Sequence, residues 1–186
     1  MKKILFITVS VILVSGCAFG TRRPLLDYQT TMPSKAQNNI SISIDPLSDA
    51  RTWSKKKIGN VRDGFGMRCG EVVPQNSVTE WIRNALKDEL KNSGYSVVDS
   101  GTQNVISGEV NEVYCNAYWN YGGRVGFHLV VKKDGTSILD KKYAFEKNAG
   151  TCWAATAESF ANTMKFTLQE VMKQVIDDIN SAFSVK

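Results

Sequence analysis

The sequence predicts an α+β fold, a mainly antiparallel sheet with two helices packed on one of its faces. Three observations carry this reading. Two segments, one opening at Ser77 and one over about 154–182, repeat apolar residues at three-and-four spacing, as helices with one buried face do. Three segments between residues 105 and 147 have the length and composition of strands. Between the last two of these, Asp134-Gly135 supplies the positive backbone angles that a tight antiparallel hairpin requires.

The elements follow in order. Ile40, Ile42 and Ile44 alternate with serines, the pattern of a half-buried strand, and Pro46 ends it. "IGNVRDGFGMRCGEVVPQNS" continues as a second extended piece followed by a glycine-containing loop. Ser77 then offers a side-chain oxygen to a first helical turn, with Glu80 three residues on as its capping-box partner. Val78, Trp81, Ile82, Ala85, Leu86 and Leu90 fall on one face of this helix, and Gly94 supplies its stop. "YSVV" and a turn at "DSGTQN" lead to the three strands, Val105 to Tyr118, Gly123 to Lys133 and Ser137 to Lys147. Val125, Phe127, Leu129 and Val131 share one strand face, which puts His128 on the other with Gly126 and Val130. The last helix carries Ala157, Phe160, Met164, Leu168, Val171, Val175 and Ile179 along one stripe.

The first residues read differently. Lys2 and Lys3 precede an apolar run, Ile4 to Val14, too short for a permanent span of about 20 residues but suited to an export signal. Val14-Ser15-Gly16-Cys17 resembles the bacterial lipobox. That resemblance implies cleavage after residue 16, diacylglycerol on the Cys17 thiol and a third acyl group on the new amino terminus, fatty acids such as palmitate. One acyl chain holds a protein only marginally, and several on one cysteine make a stable anchor. Ala18 stands where enterobacterial lipoproteins retained at the inner membrane carry aspartate, which favours the periplasmic face of the outer membrane. The domain plan is therefore a signal peptide over 1–16, a lipid-anchored tether over 17–39 and one periplasmic domain over 40–186. Two prolines and no sustained period suit the tether, whose roughly 20 residues would reach about 70 Å if extended.

Without Lys2 and Lys3 the chain keeps 21 basic against 18 acidic residues, a charge of about +3 with no long basic block. That balance argues against nucleic acid as a partner.

The segment "IGNVRDGFGMRCGEVVPQNSVTEWIRNALKDELKNSGYSV" resembles the YajG-like family of bacterial envelope lipoproteins, through its "IG.VR...GM" stretch and the "V.EW...AL..EL...GY.V" helix after it. Ile58, Gly59, Val61, Arg62, Gly66, Met67, Trp81 and Gly94 fall on that family's recurring positions, as structural marks without assigned roles. The resemblance implies a compact periplasmic domain with no assigned enzymatic activity.

Catalytic chemistry finds few materials. With one histidine, a Ser-His-Asp system or a two-histidine metal site is not expected without unusual ligands, and no cofactor, metal or catalytic residue is expected. A Cys152–His128 pair is arithmetically open, with Cys152 near a helix N-terminus that would stabilise a thiolate. Three cysteines remain after Cys17. In an oxidising compartment Cys115 and Cys152 are the favoured disulfide, because an up-down-up strand order returns the chain to the same end of the sheet; Cys69 with Cys152 is the alternative. "GFGMRCG" lacks the spacing of a phosphate-binding loop and reads as a loop needing unusual backbone angles. Asp177 and Asp178 read as part of a solvated helix face.

"YCNAYWNYGGR" is more aromatic than a strand end needs. Tyr118, Trp119, Tyr121 and Arg124, with Tyr114 nearby, are candidates for contact with an envelope protein, a glycan or lipid headgroups; hairpin packing, with Arg124 over a ring, is the competing reading. The sequence thus favours a non-catalytic binding or assembly module held to a membrane through Cys17. An enzyme or carrier acting on cell-wall or lipid material, or a thiol-based redox protein, is the alternative.

Overall fold

A computed structural model describes residues 20–36, 38–152 and 154–184. The leader and Cys17 lie outside the described residues. No described helix is long and apolar enough to cross a membrane.

Among the described residues the architecture is two helices against an eight-stranded sheet. Its centre is a long strand, β6 (Val105–Ala117), because three short strands succeed one another along one of its edges. These are β1 (Ser41–Ile44), β2 (Ser48–Asp49) and β3 (Gly59–Arg62), each parallel to β6, with Ile44 opposite Ile106, Asp49 opposite Val110 and Gly59 opposite Cys115. On the other edge β7 (Asn120–Lys133) and β8 (Thr136–Thr151) continue antiparallel. β4 (Arg68–Val72) pairs antiparallel with β3, and β5 (Ser96–Val98) pairs parallel with β1.

The sheet is therefore mixed, which corrects the expectation of a mainly antiparallel one. The reason is the connection through α1 (Val78–Asn92): a helical crossover returns the chain to the end from which β1 started, so β5 must run with β1. The Asp134-Gly135 hairpin forms as the dipeptide dictates, with φ of 51° and 79°.

Both helices form for legible local reasons. The Ser77 hydroxyl accepts the Glu80 N–H at 3.3 Å, and Gly94 ends α1 at φ 92°. The last helix, α2 (Ala157–Ser184), starts with its apolar stripe at Ala157 and about three residues after the expected 154, because the Thr156 hydroxyl accepts the Ser159 N–H at 3.1 Å and caps it there. Trp81, Ile82, Leu86 and Leu90 of α1 and Phe160, Met164, Leu168, Val175 and Ile179 of α2 join Val110, Val113, Val125, Phe127, Leu129 and Val131 of the sheet in one core.

Residues 20–36 and 38, expected to belong to a tether, run along the domain. Gly20 and Arg22 donate to the carbonyls of Cys69 and Glu71, and Arg22 forms a parallel bridge with Val72. Leu26 is 3% exposed. Tyr28 donates to Glu89 of α1 at 2.5 Å, and the Lys35 and Asn38 amides donate to Asn92 and Gly94. Burial, followed by the Glu89 carboxylate, pushes the Tyr28 phenol well above its ordinary range.

Candidate functional site

Because β3 and β6 run parallel, with Val61 opposite Ala117, the loops that follow them emerge side by side at one end of the sheet. The loop after β3 is tightly tied. Asp63 accepts from the amides of Phe65 and Met67 at 3.0 and 2.9 Å, its own amide donates to the Met67 carbonyl, and Gly66 takes φ 84°. With its polar groups satisfied internally, the loop turns its apolar side chains outward: Phe65 is 91% exposed and Met67 62%. Beside it stand Trp119, 66% exposed, and Tyr118, whose hydroxyl donates to the Gly64 carbonyl at 3.4 Å and whose ring lies 5.3 Å from the Trp119 ring. Four large apolar side chains thus crowd one end of the domain, held by a sheet and a hydrogen-bonded turn.

The structure divides the aromatic residues that the sequence singles out. Tyr118 and Trp119 stand in the exposed group. Tyr121 does not: one residue past the turn, it faces inward, edge-on to Phe160 at 5.7 Å, and donates to the Ala154 carbonyl; burial raises its phenol pKa. Arg124 lies on the outer face of β7 over the Tyr114 ring at 4.8 Å, with Glu112 at 3.4 Å, and Trp53 meets the same tyrosine edge-on at 5.2 Å. Sequence reasoning missed Phe65 and Met67. Apolar residues interleaved with Gly64 and Gly66 were the available signal, since such a turn has no core to bury them in.

The three described cysteines are free thiols. Cys115 is fully buried on β6, and burial pushes its thiol far above its ordinary range. β8 does return to the end of the sheet where β6 finishes, but β7 stands between them. Positions on β6 and β8 are thus two strand spacings, about 10 Å, apart, beyond the roughly 7 Å that a disulfide spans. Cys69 donates to the Val61 carbonyl at 3.5 Å, whereas the Cys152 amide donates to Trp119. His128 sits part-exposed on β7 beside Asp140 at 2.6 Å, about eight strand residues or roughly 27 Å from the end where Cys152 lies, so no Cys–His pair is assembled. Asp178 is not merely solvated: it accepts from Lys141 at 2.6 Å and Tyr143 at 2.9 Å, and these partners lower its pKa. Among the described residues no group of three metal-ligating side chains converges.

Comparison with known proteins agrees with the fold and the leader. The profile of a family described as uncharacterized lipoprotein matches residues 29–180. That of the prokaryotic membrane lipoprotein lipid attachment site matches residues 1–18, the stretch that contains Cys17, which makes the chain a lipid-anchored membrane lipoprotein. No curated protein matches the chain. Among solved structures, a Xanthomonas campestris protein of family DUF330 is similar at TM-score 0.60 and 12% identity, over 84% of this chain and 92% of that one. A hypothetical protein from Chlamydia trachomatis is similar at TM-score 0.55 and 7% identity, over 80% and 100% respectively. At such identities the likeness is one of fold.

Proposed function

The chain belongs to the uncharacterized lipoprotein family, and we propose that within it this protein is a non-catalytic binding or assembly module of the bacterial envelope. We place it with the YajG-like lipoproteins on the strength of the "IGNVR" to "GYSV" segment, and at the periplasmic face of the outer membrane because Ala18 follows Cys17. The observation that carries the proposal is the exposed group of Phe65, Met67, Tyr118 and Trp119. Folding gives no reason to hold four such side chains in water, since each would stabilise the protein by about 1.5–3 kcal/mol if buried, whereas a contact surface does. Its rigid backing means little ordering cost on contact.

The test is a photo-reactive amino acid at position 65 of the lipidated protein in living cells, with position 136 on the polar β7–β8 hairpin as control. A discrete adduct, to protein or lipid, that forms from 65 and not from 136 supports a binding end; equal, diffuse labelling from both positions contradicts it.

A further inference from the structure

We propose that the surface covered by Phe65, Met67, Tyr118 and Trp119 is the membrane to which Cys17 is anchored, so that the domain rests on the bilayer by this end. The inference rests on the reading of that end as a contact surface and names its occupant.

The argument lies in where the chain enters. Arg22 pairs with Val72 in parallel, the Gly20 amide donates to Cys69 at 3.3 Å, and the Arg22 amide donates to Glu71 at 2.8 Å. Followed backwards, residues 22 to 20 therefore run beside β4 from Val72 towards Arg68, and Arg68 adjoins the loop that bears Met67 and Phe65. The close approach is built in: a Cβ on Gly70 would stand 2.3 Å from the Gly20 carbonyl oxygen. Cys17 precedes Gly20 by three residues, which reach at most about 10 Å. The acyl chains are thus bound to enter the bilayer within that distance of Gly20, at the aromatic end of the sheet.

The chemistry of this end suits an interface between headgroups and acyl chains. Trp and Tyr prefer that depth, Phe and Met go below it, and Arg62, exposed beside the same loop, meets phosphate. The opposite end of the sheet, the β7–β8 hairpin, is Lys132, Lys133, Asp134, Gly135, Thr136 and Ser137, polar and exposed, as an end turned away from lipid should be.

The test uses the mature lipidated protein in vesicles of phosphatidylethanolamine and phosphatidylglycerol whose acyl chains are brominated near the headgroup. Bromine quenches only tryptophans at that depth. The Trp119→Phe variant is expected to lose at least half of the quenching shown by the unaltered protein, and Phe65→Ser with Met67→Ser to reduce it at least twofold, with both variants keeping the parent's circular dichroism and melting temperature. Equal quenching in all three folded proteins would overturn the proposal. So would its absence; a protein adduct from position 65 in cells would then keep the contact-surface reading and replace the lipid by that protein, while no specific adduct would sink both.

Discussion

The carbonyl oxygen of Gly20 occupies the space that a side chain on Gly70 would fill, 2.3 Å from where its Cβ would stand. Gly70 has no positive φ among the glycines that do, so close approach and not backbone freedom is what requires glycine there. Gly70→Val is therefore expected to lift the entering segment from β4. The measurable result is faster tryptic cleavage after Arg22 and a loss of about 1–3 kcal/mol in urea unfolding; unchanged cleavage would show that the segment does not depend on this contact.

Neighbouring aromatics are expected to separate in stability. Tyr121→Ala removes a ring packed on Phe160 and should cost about 3–5 kcal/mol. Trp119→Ala, two residues earlier and 66% exposed, should stay within about 0.5 kcal/mol of the parent. Chemical denaturation of the two variants checks this, and comparable losses would contradict the division of the cluster.

Acid should weaken the corner where β2 leads into Arg51. Arg51 is 3% exposed and its guanidinium bonds both Asp49 oxygens at 2.8 and 2.9 Å, holding that carboxyl at about 2 in place of its ordinary 3.8; Lys55 assists. A carboxyl depressed on folding contributes stability in full above its unfolded value, and that contribution is lost as pH falls from about 4 through 2. Asp49→Asn is expected to cost about 1–3 kcal/mol at neutral pH, because a buried guanidinium loses its charged partner while the site stays partly open to water. The variant should also show a shallower fall in stability between pH 4 and 2. Parallel pH profiles for the two proteins would refute the assignment.

Thiol chemistry gives an independent check on the sheet order. In the folded protein Cys115 is expected to resist iodoacetamide and to label only on unfolding, since it is enclosed and its thiol is kept protonated. Peptide mapping after timed alkylation reads this directly. Labelling of Cys115 at the rates of Cys69 and Cys152 would mean that β6 is not the covered centre of the sheet.

The parts of this fold that were legible in the sequence are those decided locally. Ser77, Gly94 and Asp134-Gly135 act through their own backbone neighbours, and the stripes of α1 and α2 follow from helical period, so each could be read without knowing the fold. Strand direction could not: Ile42 and Val97 carry the same apolar signal whichever way their strands pair, and only the α1 crossover makes them parallel. The segment containing Leu26 and Tyr28 reads as a tether because its contacts, Asn76 and Glu89, lie 50 and 61 residues away and leave no period in the chain. The site was half visible for the same reason. Trp119 and Tyr118 stood out by composition, but that Phe65 and Met67 join them depends on β3 lying beside β6.

Neutron reflectometry of the mature lipidated protein on a supported bilayer tests the whole arrangement most directly, because it measures where protein density begins above the headgroups. Entry of the chain at Gly20, about three residues from its acyl chains, requires protein density continuous with the headgroup layer, within roughly 10 Å of it. A hydrated gap of several tens of ångströms between bilayer and domain would contradict it.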